Sequence, residues 1–144
     1  MTSIAVRDAR VEDAEPMAEL CAQLGYPSSP ERVRARFERL AGDDDVRTLV
    51  AADGDRIIGL ATVHVRFTIN HDAPIGQLTM LVVDERNRTH GVGRALVETA
   101  ERWARERGCK RFVVTTALRR ADAHAFYERL EYKHTGRRYG KDFS

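Results

Sequence analysis

The sequence predicts an α/β domain, α+β by some schemes. The expected architecture is a mixed, mostly antiparallel central sheet with helices on both faces. Two β-rich runs, residues 47–52 and 56–69, flank Asp53-Gly54-Asp55, and a D-G turn between such runs signals an antiparallel hairpin. Two later β-rich runs, 75–83 and 111–117, are separated by the amphipathic stretch 92–107, and a strand–helix–strand unit demands a parallel crossover. The chain has 144 residues, 42% of them hydrophobic, which suits one domain around one core.

The elements follow in order. Residues 4–10 (IAVRDAR) begin with alternation and read as a short strand. Asp13 can cap a helix that runs to Leu24, with Met17, Leu20, Cys21 and Leu24 at helical spacing and Gly25 as its stop. Ser29-Pro30-Glu31 starts a second helix with proline at its first position. Its apolar stripe is Val33, Phe37 and Leu40, and its remaining face is charged. The acidic stretch Asp43-Asp44-Asp45 reads as a loop. The run 56–69 is long for one strand, so Gly59 is expected at a bulge or bend. The helix over 92–107 carries a stripe of Val92, Ala95, Leu96, Thr99, Ala100 and Trp103. Its pairs Glu98–Arg102 and Glu101–Arg105 have i,i+4 spacing, and Gly108 ends it. A shorter helix over 121–130 precedes a loosely alternating tail, 132–143, expected as a final strand.

The totals exclude several classes. Twenty-four basic residues against 22 acidic ones give a net charge of +2, which makes no general case for a nucleic-acid binder. A local basic patch would serve a small polyanionic ligand equally. Cys21 and Cys109 are too few for a disulfide framework and read as reduced thiols. The N-terminal residues acquire acids at once, unlike a signal peptide. No apolar run approaches the ~20 residues of a membrane span. A cytoplasmic protein is expected. No group of His, Cys, Asp or Glu has metal-ligand spacing, and no metal is expected.

The stretch 84–96, DERNRTHGVGRAL, sits where a strand hands over to a helix. The first turn of that helix offers unbonded N–H groups and the positive end of the macrodipole. Gly91 and Gly93 let a ligand approach the backbone, and Arg88 and Arg94 add charge. Together they make an anion site. Two familiar phosphate motifs fail here. A P-loop needs Lys and Ser/Thr where this chain has Arg94 and Ala95. A dinucleotide fingerprint needs a third small residue where it has Leu96, and an acid near Val113 and Val114.

The pattern Arg-x-x-Gly-x-Gly does match, as Arg88-Thr89-His90-Gly91-Val92-Gly93, between LTMLVV and a long helix followed by RFVVTTA. Further on, residues 123–132 read AHAFYERLEY. On these motifs the chain resembles the GCN5-related N-acetyltransferases, well from Ile75 onward and weakly before Arg47. The resemblance implies that Arg88, Thr89, His90, Gly91, Val92, Gly93 and Arg94 hold the pyrophosphate of acetyl-CoA. It implies a splayed strand whose backbone N–H groups, at Leu81, Val82 and Val83, face the thioester carbonyl. It places Tyr127 as the general acid for the leaving thiolate; the bland alternative is a tyrosine packed beside Phe126. Acetyl-CoA is thus the implied co-substrate, and a primary amine of a small molecule or protein the acceptor. Homodimer formation is left open, and a non-catalytic acyl-CoA-binding module is the competing reading.

Three departures stand out. Arg120 replaces a frequent asparagine, Glu131 replaces the glycine after the tyrosine helix, and residues 75–83 lack an acid. With Glu131 there, the helix is expected to end in some other way. The candidates for a base, His64, His71, Asp72 and Asp84, each read more readily as surface or packing residues, and His124 is expected on the surface. The acidic stretch Asp43-Asp44-Asp45 would favour a cationic acceptor if it lay on the acceptor side, and is otherwise a solvated loop.

Overall fold

The computed structural model describes residues 4–88, 91–115, 121–136 and 138–143, in two units, Met1–Val114 and Thr115–Ser144. The first unit is a five-stranded sheet in chain order: β1 Ile4–Asp8, β2 Val46–Asp53, β3 Arg56–Arg66, β4 Ile75–Val83 and β5 Arg111–Val114. Strands β1 to β4 pair antiparallel and β5 joins β4 in parallel. The sheet is therefore mixed, as the sequence predicts. The two-residue loop Gly54-Asp55 places Asp53 opposite Arg56, the hairpin expected from the D-G signal.

Alternation along the strands assigns the two faces. Val50, Leu60 and Val82 pack with Met17, Ala18 and Leu20 of α1 (Ala14–Leu24) and Val33 of α2 (Pro30–Ala41). Their chain neighbours Ala51 and Gly59 point the other way, toward α3 (Val92–Glu106). A Cβ at Gly59 would lie 2.9 Å from Leu96 Cδ1 and 3.0 Å from Val92 Cγ1. Glycine there lets the helix bed close on the sheet.

Two irregularities interrupt the ladders. Ala51 faces Gly59 while Ala52 faces Ile57, so Ile58 is the extra residue of a bulge beside the expected glycine. Thr62 faces Met80 while Val63 faces Leu78, which leaves Thr79 as an extra residue in β4.

The helix starts follow side-chain chemistry. Pro30 opens α2, and Ser29 Oγ accepts from Arg32 N at 3.2 Å. Asp13 stands at the start of α1 without capping it. Its carboxylate instead accepts from Arg7 Nη1 (2.8 Å) and Nη2 (3.0 Å) and from Arg10 N (2.8 Å). The residue is 7% exposed, so removing it leaves a guanidinium and a backbone amide without their acceptor. Asp13→Ala is expected to cost about 2–3 kcal/mol, read as a lowered denaturant midpoint at pH 7. Burial raises the Asp13 carboxyl, but the Arg7 and Arg10 bonds outweigh it and hold the pKa below its ordinary value. This contribution is therefore fully present above the unfolded pKa of about 3.9 and is lost as pH falls through the lower folded pKa. The gap between wild type and variant should narrow in acid.

Two expectations are corrected. Glu98 pairs backward with Arg94 (Nε to Oε1, 2.8 Å) rather than forward with Arg102; both partners are exposed, so either pairing is worth little. The expected final strand is absent among the described residues: 132–136 and 138–143 have no strand assignment. A strand persists only where neighbours pair with it and cover one face, and here Tyr139 and Phe143 are both exposed. The second unit contributes one helix, α4 (Ala121–Arg129). No helix among the described residues is long and apolar enough to cross a membrane.

Candidate active site

The site begins with the direction of backbone groups along β4. Asp84 N donates to Ile58 O at 2.8 Å. Hydrogen-bonded pairs alternate in an antiparallel ladder. Given the register, Leu60–Val82 and Thr62–Met80 are the next such pairs. Val82 thus spends its N–H on β3, while Leu81 and Val83 turn their N–H and C=O groups to the other side. That is the β5 side, and β5 pairs with β4 only from Ile75 to Leu78. Beyond Leu78 the edge has no strand partner among the described residues. The Val83 carbonyl accepts from Arg88 Nε at 3.3 Å.

The strand leaves through a short 3-10 turn, Glu85–Asn87, into residue Arg88. Thr89 and His90 lie outside the described residues. Gly91 is the N-cap of α3 with φ 76, a left-handed conformation that glycine adopts at no steric cost. It is exposed, and a Cβ there would meet nothing within 4 Å. The first intrahelical bond is Ala95 N to Gly91 O, so the N–H groups of Val92, Gly93 and Arg94 have no acceptor within the helix. Among the described residues no side chain caps this end, and no acid lies in its first turn. The Val92 side chain is fully buried, which leaves only its backbone for a ligand. Arg94 shares its charge with Glu98. The result is a long helix whose positive end follows a strand edge with no strand partner among the described residues, a fitting place for a diphosphate.

The base candidates are not brought together. His64 is half-buried in register with Val46 and Gln77. Burial and then the charge of Arg66 push its imidazole pKa down, against Asp43. His71 is exposed in the β3–β4 turn, its Nδ1 beside Thr68 Oγ1 and Asn70 Oδ1, and Asp72 is exposed next to it. Asp84 is buried and committed to Arg86, whose side chain and backbone amide hold its carboxyl below the usual range, making it a weak base. The acidic stretch is fastened at the other end of α3. Arg107, just past that helix, bonds Asp44 O and Asp45 Oδ1, about 24 Å along the axis from Gly91. Arg107 thus offsets one of the stretch's three carboxylates, that of Asp45. Cys21 and Cys109 are free and half-buried, and burial pushes both thiols up, so neither is a strong nucleophile at neutral pH. Among the described residues no group of three potential ligands could hold a metal ion.

In the second unit Tyr127 is 9% exposed. Its ring meets Phe126 edge-on at 5.2 Å and Tyr132 at 5.9 Å. Helix α4 does not end in a new way. Glu131 itself takes φ 71, with Glu131 N bonded to Glu128 O and Tyr132 N to Tyr127 O, both at 3.0 Å. These are the two bonds of a Schellman cap, and the Tyr127–Tyr132 contact supplies its apolar clasp. Gly25 and Gly108 occupy the same position after α1 and α3. Glutamate pays a left-handed penalty that they avoid. Glu131→Gly is therefore expected to stabilise the protein by about 0.5–1 kcal/mol, seen as a raised Tm with unchanged kcat. Arg120 lies outside the described residues.

Sequence reasoning overlooked three features: the extra residue Thr79, the Arg88–Val83 bond, and Gln23, whose Oε1 accepts from Glu85 N at 3.0 Å. The first depends on register and the third on segments 62 residues apart, while the second, between residues five apart, depends on the turn that folds Arg88 back onto its own strand.

A mixed sheet whose fourth strand feeds a long helix through a glycine turn fits the acyl-CoA N-acyltransferase fold. The chain belongs to the acetyltransferase (GNAT) family, whose description matches residues 11–132; it is an acetyl-CoA-dependent acyltransferase. It is 30% identical over 137 residues to the aminoalkylphosphonate N-acetyltransferase of Salmonella typhimurium, covering 94% of this chain and 89% of that one. It is 26% identical over 135 residues to an aminoglycoside N(6')-acetyltransferase type 1 of Stenotrophomonas maltophilia, covering 92% and 88%. Among solved structures, a transcriptional regulator from Bacillus halodurans C-125 superposes with TM-score 0.91 at 25% identity, over 98% of this chain and 100% of that one. The aminoglycoside N-acetyltransferase AAC(6')-Iy in complex with CoA superposes with TM-score 0.87 at 20% identity, over 99% and 96%, a likeness of fold.

Proposed function

We propose that residues 1–144 act as one domain that transfers the acetyl group of acetyl-CoA directly to a primary amine of a small molecule. The observation that carries this reading is the start of α3 at left-handed Gly91, which among the described residues has no side-chain cap, after a stretch of β4 that among them has no strand partner. In this reading the amides of residues 91–94, with Arg88, hold the diphosphate. The Leu81 and Val83 N–H groups face the thioester. Thr89 and His90 keep the role their motif position implies, and Val82 contributes to the strand rather than a donor.

The amine nitrogen attacks the thioester carbon, and the carbonyl oxygen takes up negative charge that the two amides stabilise. The C–S bond then breaks, the CoA thiolate takes a proton from the Tyr127 hydroxyl, the role its motif position implies, and the surplus proton on the acylated nitrogen is lost to solvent, which in turn reprotonates the tyrosinate. A phenol of pKa ~10 and a thiol of ~8.5 are close enough for that transfer. The attacking amine must first lose its own proton. A lysine-like amine is neutral in only about 1 molecule in 10³ at pH 7, and solvent takes that proton in the absence of a placed base.

The choice of a small-molecule acceptor over a protein amine is supported by two curated relatives that span nine-tenths of the chain and act, by name, on aminoalkylphosphonates and aminoglycosides. The test is thiol release from acetyl-CoA with a short aminoalkylphosphonate, an aminoglycoside, a polyamine and a lysine peptide. Release with a small amine and not with the peptide is the expected result. Acetyl-CoA binding without release on any amine would favour the acyl-CoA-binding module instead.

A further inference from the structure

Every polar group of Asp84 is committed. Its N–H donates to Ile58 O and its carbonyl accepts from Asn87 N, both at 2.8 Å. One carboxylate oxygen accepts from Arg86 N (3.1 Å) and Arg86 Nε (3.3 Å). The other accepts from Arg86 Nη2 (3.2 Å), with Arg56 Nη2 at 3.9 Å. The residue is 6% exposed, and a carboxylate so buried persists only when fully bonded. It stands where the β3–β4 ladder ends and the 3-10 turn begins. Gln23 of α1 braces the next residue through Glu85 N, and Arg88 folds back onto Val83 O. Asn87 Oδ1, in the same turn, is buried with no hydrogen-bond partner among the described residues. The bonds of Asp84, Gln23 and Arg88 together hold the path of this turn.

We propose that Asp84 is a positioning residue for cofactor binding. By fixing the direction in which β4 exits, it sets where Arg88 and the Gly91 helix start stand relative to the Leu81–Val83 edge. It touches no reacting atom and acts through the chain. The inference rests on the reading that the start of α3 binds the diphosphate of acetyl-CoA. The geometry also separates this role from that of a base, because both carboxylate oxygens already accept hydrogen bonds from Arg86.

The test compares Asp84→Asn and Asp84→Ala with the wild type by thermal melting, by calorimetry with CoA, and by steady-state kinetics. Asparagine keeps an oxygen for Arg86 N but loses the anionic grip on the two guanidinium groups. It should weaken CoA binding by about tenfold and alanine by more. In both, kcat at saturating acetyl-CoA, its pH profile and the acceptor KM should stay within about threefold of wild type. CoA affinity within twofold of wild type in a folded variant would overturn the proposal. So would a fall in kcat at unchanged affinity, which would make Asp84 part of the chemistry. Loss of the folding transition in both variants would assign it to stability alone and overturn it too. Failure of the wild type to bind CoA would strike the functional reading first, and this inference with it.

Discussion

Gly91→Asp should abolish acetyl-CoA binding and leave the fold intact. The two halves of this expectation rest on different observations. Position 91 is exposed, a Cβ there meets nothing within 4 Å, and φ is 76. Aspartate is among the residues that tolerate the left-handed region best, so the structural cost is about 1 kcal/mol. The effect on the ligand is much larger. A carboxylate about 4 Å from a diphosphate oxygen, at an effective dielectric of 20, is opposed by about 4 kcal/mol. That corresponds to roughly a 10³-fold loss of affinity. Gly91→Asn separates charge from bulk, since it has nearly the same shape and no charge; its loss should stay near tenfold. Calorimetry with CoA reads both, and thermal melting checks the fold. An unchanged affinity for the aspartate variant would remove the diphosphate from this helix start.

The legibility of this fold and site varied with the range of the interaction behind each feature. The hairpin at Gly54-Asp55, the Ser29-Pro30 helix start and the parallel β4–α3–β5 crossover are written in residues adjacent in sequence. Turn chemistry and periodicity carry that information locally. The final strand is different. Residues 132–143 alternate, but alternation describes only what a strand would bury, and nothing in a single segment states whether a partner edge is present. Glu131 shows the converse error. Its identity argues against a glycine-type helix stop, yet the two cap bonds and the Tyr127–Tyr132 contact hold it at φ 71. In the site, the motif Arg88-x-x-Gly91-x-Gly93 was readable because backbone amides need only the right turn residues. The split between Val82, which faces β3, and Leu81 and Val83, which face away, was not readable. It follows from one hydrogen bond, Asp84 N to Ile58 O, and from the extra residue at Thr79. A one-residue change of register would exchange the two sets.

Tyr127→Phe should lower kcat by about 10²-fold or more while acetyl-CoA affinity stays as it is. The substitution removes one hydroxyl and keeps the ring. The edge-on contacts to Phe126 and Tyr132 survive, as do the backbone bonds from Leu130 and Tyr132 to the Tyr127 carbonyl. The cap of α4 should therefore hold, which thermal melting checks, so that a loss of rate is separated from unfolding. Expulsion of CoA as a bare thiolate is the step that suffers. The effect should therefore appear in single-turnover acetyl transfer and not only in steady state, where product release can set the pace. Tyr132→Phe serves as the matched control: it removes a hydroxyl from the same aromatic cluster, one residue beyond the helix cap, and should leave kcat within twofold. Leaving-group chemistry gives a second check. An acetyl donor whose thiol has a pKa well below ~8.5 leaves without much help from an acid, so the gap between Tyr127→Phe and wild type should shrink with that donor. A single-turnover rate within twofold of wild type on acetyl-CoA would take the proton-donor role from Tyr127 and leave it a packing tyrosine.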